Sequence, residues 1–155
     1  MSESPLHGSG THMNLEGVRD WALAVLGAQF PQVEVNSYGS VLLSLPDTRV
    51  VCRFRQMVEG EVTICVNAPV LLNVPATTDL YELVCVSLIS FPFGAFEMGA
   101  GDSDDVVTLG FGAKLFADGL PPHHLVRAVH AVRHEAVNQS NRLKPLLGGV
   151  GILDY

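Results

Sequence analysis

Charge is scarce in this chain, and what there is has one dominant sign. Asp, Glu, Lys and Arg together make up 16% of the sequence, with nine basic residues against sixteen acidic ones and a formal net charge of −7. Phosphate binding needs the opposite sign, and no basic cluster in the sequence exceeds a pair, which argues against DNA or RNA as the main partner. Long apolar runs are missing too. Each is broken by proline or charge before the ~18 residues that a membrane-crossing helix requires, so no membrane association is expected. No charged-then-apolar leader opens the chain. Cysteine is sparse: Cys52, Cys65 and Cys85 are widely spaced and odd in number. That pattern speaks against a disulfide framework and for a reducing compartment, with each cysteine a small core filler. A cytoplasmic protein is the expectation.

Recognisable chemistry is equally thin. The glycines of GFG (110–112) and GGVG (148–151) lack a Walker lysine and the dinucleotide-binding spacing, so they mark bulges or close backbone approach rather than a nucleotide site. Residues 102–105, DSDD, stop at two valines where a calcium loop would need more oxygen ligands, which leaves a polar hairpin turn. No serine stands in a nucleophile elbow. Asp79 and Glu82 are explained by helix capping, and cysteines in apolar runs would be buried and inert. The reading is a non-enzyme with no catalytic residue, no metal and no cofactor.

What is present is apolar: 48% of 155 residues, enough for one domain that needs no staple. Residues 1–13, polar and rich in Gly and Ser, read as a disordered or vector-derived tail, with Met13 a natural start. Residues 14–145 read as a single α+β domain and 146–155 as a C-terminal tail. Leu15, Val18, Ala22, Val25 and Leu26 fall at helical spacing, with Trp21 at the edge of the stripe and Pro31 closing the helix. Three strand-like runs follow, and the first divides into two short strands around Tyr38 and Gly39. TTDLYELVCVSLIS reads as a second helix, capped by Thr78 or Asp79 and apolar nearly all round, hence buried on most sides or set at a subunit contact. A hairpin spans the next two runs. A third helix opens at Pro121 and Pro122 and ends near Leu143, before Pro145. No βαβ repeat occurs, so the sheet is antiparallel, with helices packed on one face in the order α-β-β-β-α-β-β-α.

The turn at Val58-Glu59-Gly60 fixes a register. A three-residue loop puts Val50, Cys52, Phe54, Val62, Ile64 and Val66 on one face, and Arg53, Arg55, Met57, Glu61, Thr63 and Cys65 on the other. Arg53 and Arg55 beside Met57 then form a candidate docking surface for a protein partner, since arginine next to an apolar residue suits such contacts.

HHLVRAVHAVRH (123–134) holds four of the six histidines. His123, Arg127, His130 and His134 fall in one stripe opposite Leu125, Val129, Val132 and Ala136, which places the imidazoles in solvent. His130 and His134, one turn apart, supply two ligands where a functional zinc site needs three. A small-ligand or metal-responsive regulatory domain using these histidines is the competing function.

From Leu80 to Leu143 the chain resembles the YbjN family, within the fold group of type III secretion chaperones. The resemblance lies in the second helix leading into FPFGAF (91–96), the turn, and VVTLGFGAKLFADGLPPHHLVRAVHAVRHEA, with Leu120, Leu125 and Val129 at the entry to the last helix. The ending NRLKPLLGG is similar to that of actinobacterial chaperone-like relatives. The resemblance implies a homodimeric, non-enzymatic module that holds an extended protein client along its sheet and helix surfaces. No family catalytic residue exists to carry over.

Overall fold

The computed structural model describes residues 14–155, and the side chains of all of these except 88–90. The tail assigned to residues 1–13 lies outside the described residues. Helix α1 (Leu15–Gln29) starts on Asn14, whose side chain accepts the Gly17 N–H at 2.8 Å. Four strands follow: β1 (Val33–Val35), β2 (Val41–Ser44), β3 (Arg49–Gln56) and β4 (Val62–Pro75). Then come α2 (Thr78–Ser90), β5 (Ala95–Ala100), β6 (Val106–Phe116), α3 (Pro122–Leu147) and a 3₁₀ turn, Ile152–Asp154. The class is α+β, with one six-stranded sheet in the order β1-β2-β3-β4-β6-β5 and every neighbouring pair antiparallel.

The expected register holds. Cys52 pairs with Val66 and Phe54 with Ile64, and Gly60 takes the left-handed conformation the loop demands, at φ 83°. The first strand run divides around Tyr38 and Gly39, again with a left-handed glycine at φ 79°. These two turns decide which residues face inward. Rows such as Val41, Cys52, Val66, Ala113 and Ala68, Phe111, Phe96 all point to one side and are buried. Helices α1 and α3 cover that side with Val18, Ala22, Val25 and Leu26, and with Leu125, Val129, Val132 and Ala136. Fully burying each valine or leucine among them contributes about 1.5–3 kcal/mol, so the covered face accounts for most of the hydrophobic stabilisation.

Helix α2 packs beside the edge strand β5. Ser87 Oγ accepts the Phe96 N–H at 3.1 Å and donates to the Val84 carbonyl at 2.7 Å. Phe91, Phe96 and Phe111 meet edge to face, with ring centroids 5.2–5.9 Å apart. The expectation that α2 is buried on most sides is not met: Tyr81 is 45% exposed and Cys85 is exposed, while Leu80 and Ser87 are buried. An edge strand offers a helix one narrow contact, so Leu83 and Val84 are only partly buried while Tyr81, Cys85 and Val86 face outward. Its cap is Thr77, one residue before the expected position, accepting the Leu80 N–H at 3.3 Å.

The last helix also departs from expectation. It runs through Pro145 to Leu147. A proline in the final turn removes only one hydrogen bond, and the carbonyl it leaves free belongs to exposed Asn141, which water can serve. Left-handed Gly148 and Gly149 then reverse the chain. Val150 forms an antiparallel bridge with Leu72, with two N–H···O bonds of 2.7 and 2.8 Å. A Cβ on Gly149 would stand 2.7 Å from the Leu72 carbonyl oxygen, so glycine is required for this approach. Residues 150–155 are therefore fastened to β4 at the point where its register with β6 is irregular.

Candidate functional site

Among the described residues, no α-helix covers the other face of the sheet. Strand alternation brings Arg49, Val51, Arg53 and Arg55 of β3 onto this face, since Val50 and Cys52 point into the core. On β6 the same alternation presents Gly110, Gly112, Lys114 and Phe116, because Leu109, Phe111 and Ala113 are buried inward. Two glycines at successive outward positions strip β6 of side chains there, and a hollow of about 550 Å³ results. Its floor is Gly110, its walls include Leu42, Val51 and Pro69, and Ile152 of the C-terminal turn closes one end. A second hollow of about 500 Å³ adjoins it, sharing Leu42, Val51 and Arg53, and reaches Tyr38 and Arg55. Tyr38 is 92% exposed on the β1–β2 turn. Together the two make one groove across the sheet.

Asn67 organises the middle of this groove. It lies over Gly112, where a Cβ would collide with its amide nitrogen. That nitrogen donates to the Glu97 carboxylate of β5, and the Asn67 amide oxygen is buried without a hydrogen-bond partner. An orphaned buried acceptor carries a cost that a donor brought by a ligand would relieve.

Arg53 and Arg55 are exposed on this face as the hairpin register requires, and Met57 beyond them is 47% exposed. Arg49 and Lys114 join them, which the sequence reading missed. The strand period in R-x-V-x-R-x-R (49–55) was the available signal for Arg49. Lys114 enters only through the pairing of Arg53 with Cys65 and of Cys65 with Lys114. Cys65 is buried between those two long side chains, and Cys52 is buried on the opposite side, so both are free thiols without a path to one another. Burial, with a lesser contribution from Cys65, pushes the Cys52 thiol up to about 12, which keeps it protonated and unreactive. Cys85 corrects the expectation that all three cysteines are buried, because α2 turns it outward.

The four histidines of α3 sit on the opposite side of the molecule. His123, His124, His130 and His134 are all exposed along α3. The His130 ring packs on Phe30 at 5.1 Å, His123 packs on His124 at 4.4 Å, and His134 Nε2 lies 3.0 Å from the Asn138 amide. Among the described residues, no group of three or more His, Cys, Asp or Glu is placed to hold a metal ion.

The DSDD turn does structural work. Asn73, in the left-handed region at φ 52°, donates to Asp102 Oδ2 at 2.7 Å and accepts the Asp102 N–H at 2.9 Å. The Tyr155 hydroxyl donates to the same carboxylate at 2.9 Å. The Asn73 hydrogen bond, then that of Tyr155, holds the Asp102 carboxyl below the usual aspartate range, and the Tyr155 phenol is raised in turn. Among the described residues, no helix is long and apolar enough to cross a membrane.

The chain matches no protein-family profile and no curated protein sequence. Solved structures do match it. One is YbjN from E. coli, which has been proposed as a transcription regulator, at a TM-score of 0.56 and 15% identity over 87% of this chain and 94% of that one. At that identity the likeness speaks to architecture alone, and the architecture of this chain is YbjN-like.

Proposed function

We propose that this chain is a cytoplasmic, non-enzymatic module that binds a protein client, resembling type III secretion chaperones, with the helix-free sheet face as its working surface. One observation carries the reading: an antiparallel sheet sealed by helices on one side presents, on the other, a groove with a glycine floor, apolar walls and exposed arginines. Such a surface offers shallow pockets for alternate side chains of an extended segment. The negative net charge keeps a surface of this kind soluble. Homodimer formation fits the same reading, because β5 is an edge strand and α2 beside it shows Tyr81 outward. YbjN has been proposed as a regulator, and holding a protein client is one physical route to regulation. A histidine-based metal-responsive function lacks a third ligand among the described residues.

The test is affinity capture from the native host with the intact chain and with Val51→Lys, which puts a charge into the groove wall. The reading expects one chain to be recovered repeatedly by the intact protein, to bind it directly once purified, and to be lost with Val51→Lys. Recovery of the same chains by both proteins, or of none, contradicts it.

A further inference from the structure

The outer sheet face gathers positive charge that the rest of the molecule does not claim. Arg49, Arg53, Arg55 and Lys114 are four of the nine Lys and Arg residues of a chain with net charge −7. All four are exposed, and three of them stand at alternate positions of one strand. The ion pairs formed elsewhere use Arg19, Arg133 and Lys144. Among the described residues, the four outer cations make no ion pair and no side-chain hydrogen bond. In an acidic protein, leaving four cations together without carboxylates runs against the local electrostatics, since acidic side chains are abundant enough to have been placed between them. Glu34 and Glu97 also line the main hollow, but no carboxylate stands among the outward residues between Arg53, Arg55 and Lys114. Glu34 is on β1, Glu61 at the β3–β4 turn, and Glu97 on β5, where Asn67 already engages it.

From this distribution we infer that the segment held in the groove is acidic, an extended stretch in which pairs of Asp or Glu alternate with pairs of apolar residues. The inference rests on the protein-binding reading above. Its carboxylates lie against Arg53, Arg55 and Lys114, and its apolar side chains enter the hollow over Gly110, between Val51 and Pro69. Pairs are required because successive side chains of an extended segment point to opposite faces, so only every second one meets the sheet, and both kinds must reach it. Six strands spaced about 4.8 Å apart span roughly 24 Å, which accommodates about seven extended residues.

The experiment measures fluorescence anisotropy of extended peptides of roughly ten residues, each carrying the same neutral dye, titrated with the full chain. Pairs of valines alternate with pairs of aspartates, of serines or of lysines, and a single-stranded oligonucleotide serves as a competing anion. The expected result is a preference of roughly tenfold or more for the aspartate peptide over the serine peptide at about 50 mM salt, shrinking at about 500 mM. Arg53→Glu combined with Arg55→Glu, and separately Lys114→Glu, should each abolish the preference while leaving the circular dichroism spectrum and melting temperature unchanged. Equal binding of aspartate and serine peptides overturns the acidic inference and leaves the protein-binding reading standing. Binding of no peptide also overturns it, and the capture experiment then decides the wider reading alone. Tighter, Arg53-dependent binding of the oligonucleotide overturns both.

Discussion

At the scale of single residues, the entry to β5 depends on atoms that are missing. Gly94 adopts φ 70°, and a Cβ there would meet the Gly112 carbonyl oxygen at 2.5 Å and the Phe111 ring at 2.9 Å. Neither the backbone of β6 nor a fully buried ring can move away. Gly94→Ala should therefore destabilise the fold by about 3 kcal/mol, from backbone strain together with overpacking. Urea unfolding measures this, and a loss below about 1 kcal/mol would show that the β5 entry is loosely packed. A second residue-scale prediction concerns Asp102. Its depressed pKa means that its contribution is present above the unfolded aspartate value and is lost as pH falls through the lower folded value. The raised Tyr155 phenol works in the opposite direction, with its contribution lost as pH rises through the folded value. The fastening is thus intact around neutrality and weakens at both extremes. Removing one donor by Tyr155→Phe should raise the Asp102 midpoint in an NMR carboxyl titration. An unchanged midpoint would mean that the phenol does not reach the carboxylate in solution.

At the scale of elements, most of the fold was legible and the failures share a cause. Period-two alternation and left-handed glycines are local properties, so the β3–β4 register could be read from residues 50–66 and is observed. The helical stripe of α3 likewise set its histidines in solvent. Burial of α2 was misjudged because an all-round apolar helix does not reveal how much surface its neighbours offer; here it packs beside an edge strand. Pro145 was read as a stop because sequence does not show which carbonyl a proline leaves to water. The site was half legible. Arg53, Arg55 and Met57 follow from one strand, whereas Lys114, Asn67 and Glu97 join them only through pairing across β4, β6 and β5. The docking of Val150 onto Leu72 joins positions 78 residues apart and left no periodic signal. A chain ending at Gly148 should lose both hydrogen bonds of that bridge, about 1 kcal/mol each. Hydrogen exchange at the Leu72 amide should then speed up markedly, and unchanged exchange would show that the bridge contributes nothing.

At the scale of the whole molecule, the two faces of one sheet differ in what they present. The inner face supplies stability through α1 and α3. The outer face carries the groove, its glycine floor and four of the nine basic residues, while the histidines are displayed on the far side of α3. This separation makes the account directly testable by mapping where a bound client touches the protein. Amide chemical-shift perturbation by the captured client, or by the aspartate peptide, is the most direct measurement. Shifts concentrated at Val51, Arg53, Asn67, Gly110 and Lys114, with His123, His130 and His134 unmoved, are the predicted result. Shifts centred on the α3 histidines, with the outer sheet unmoved, would contradict it.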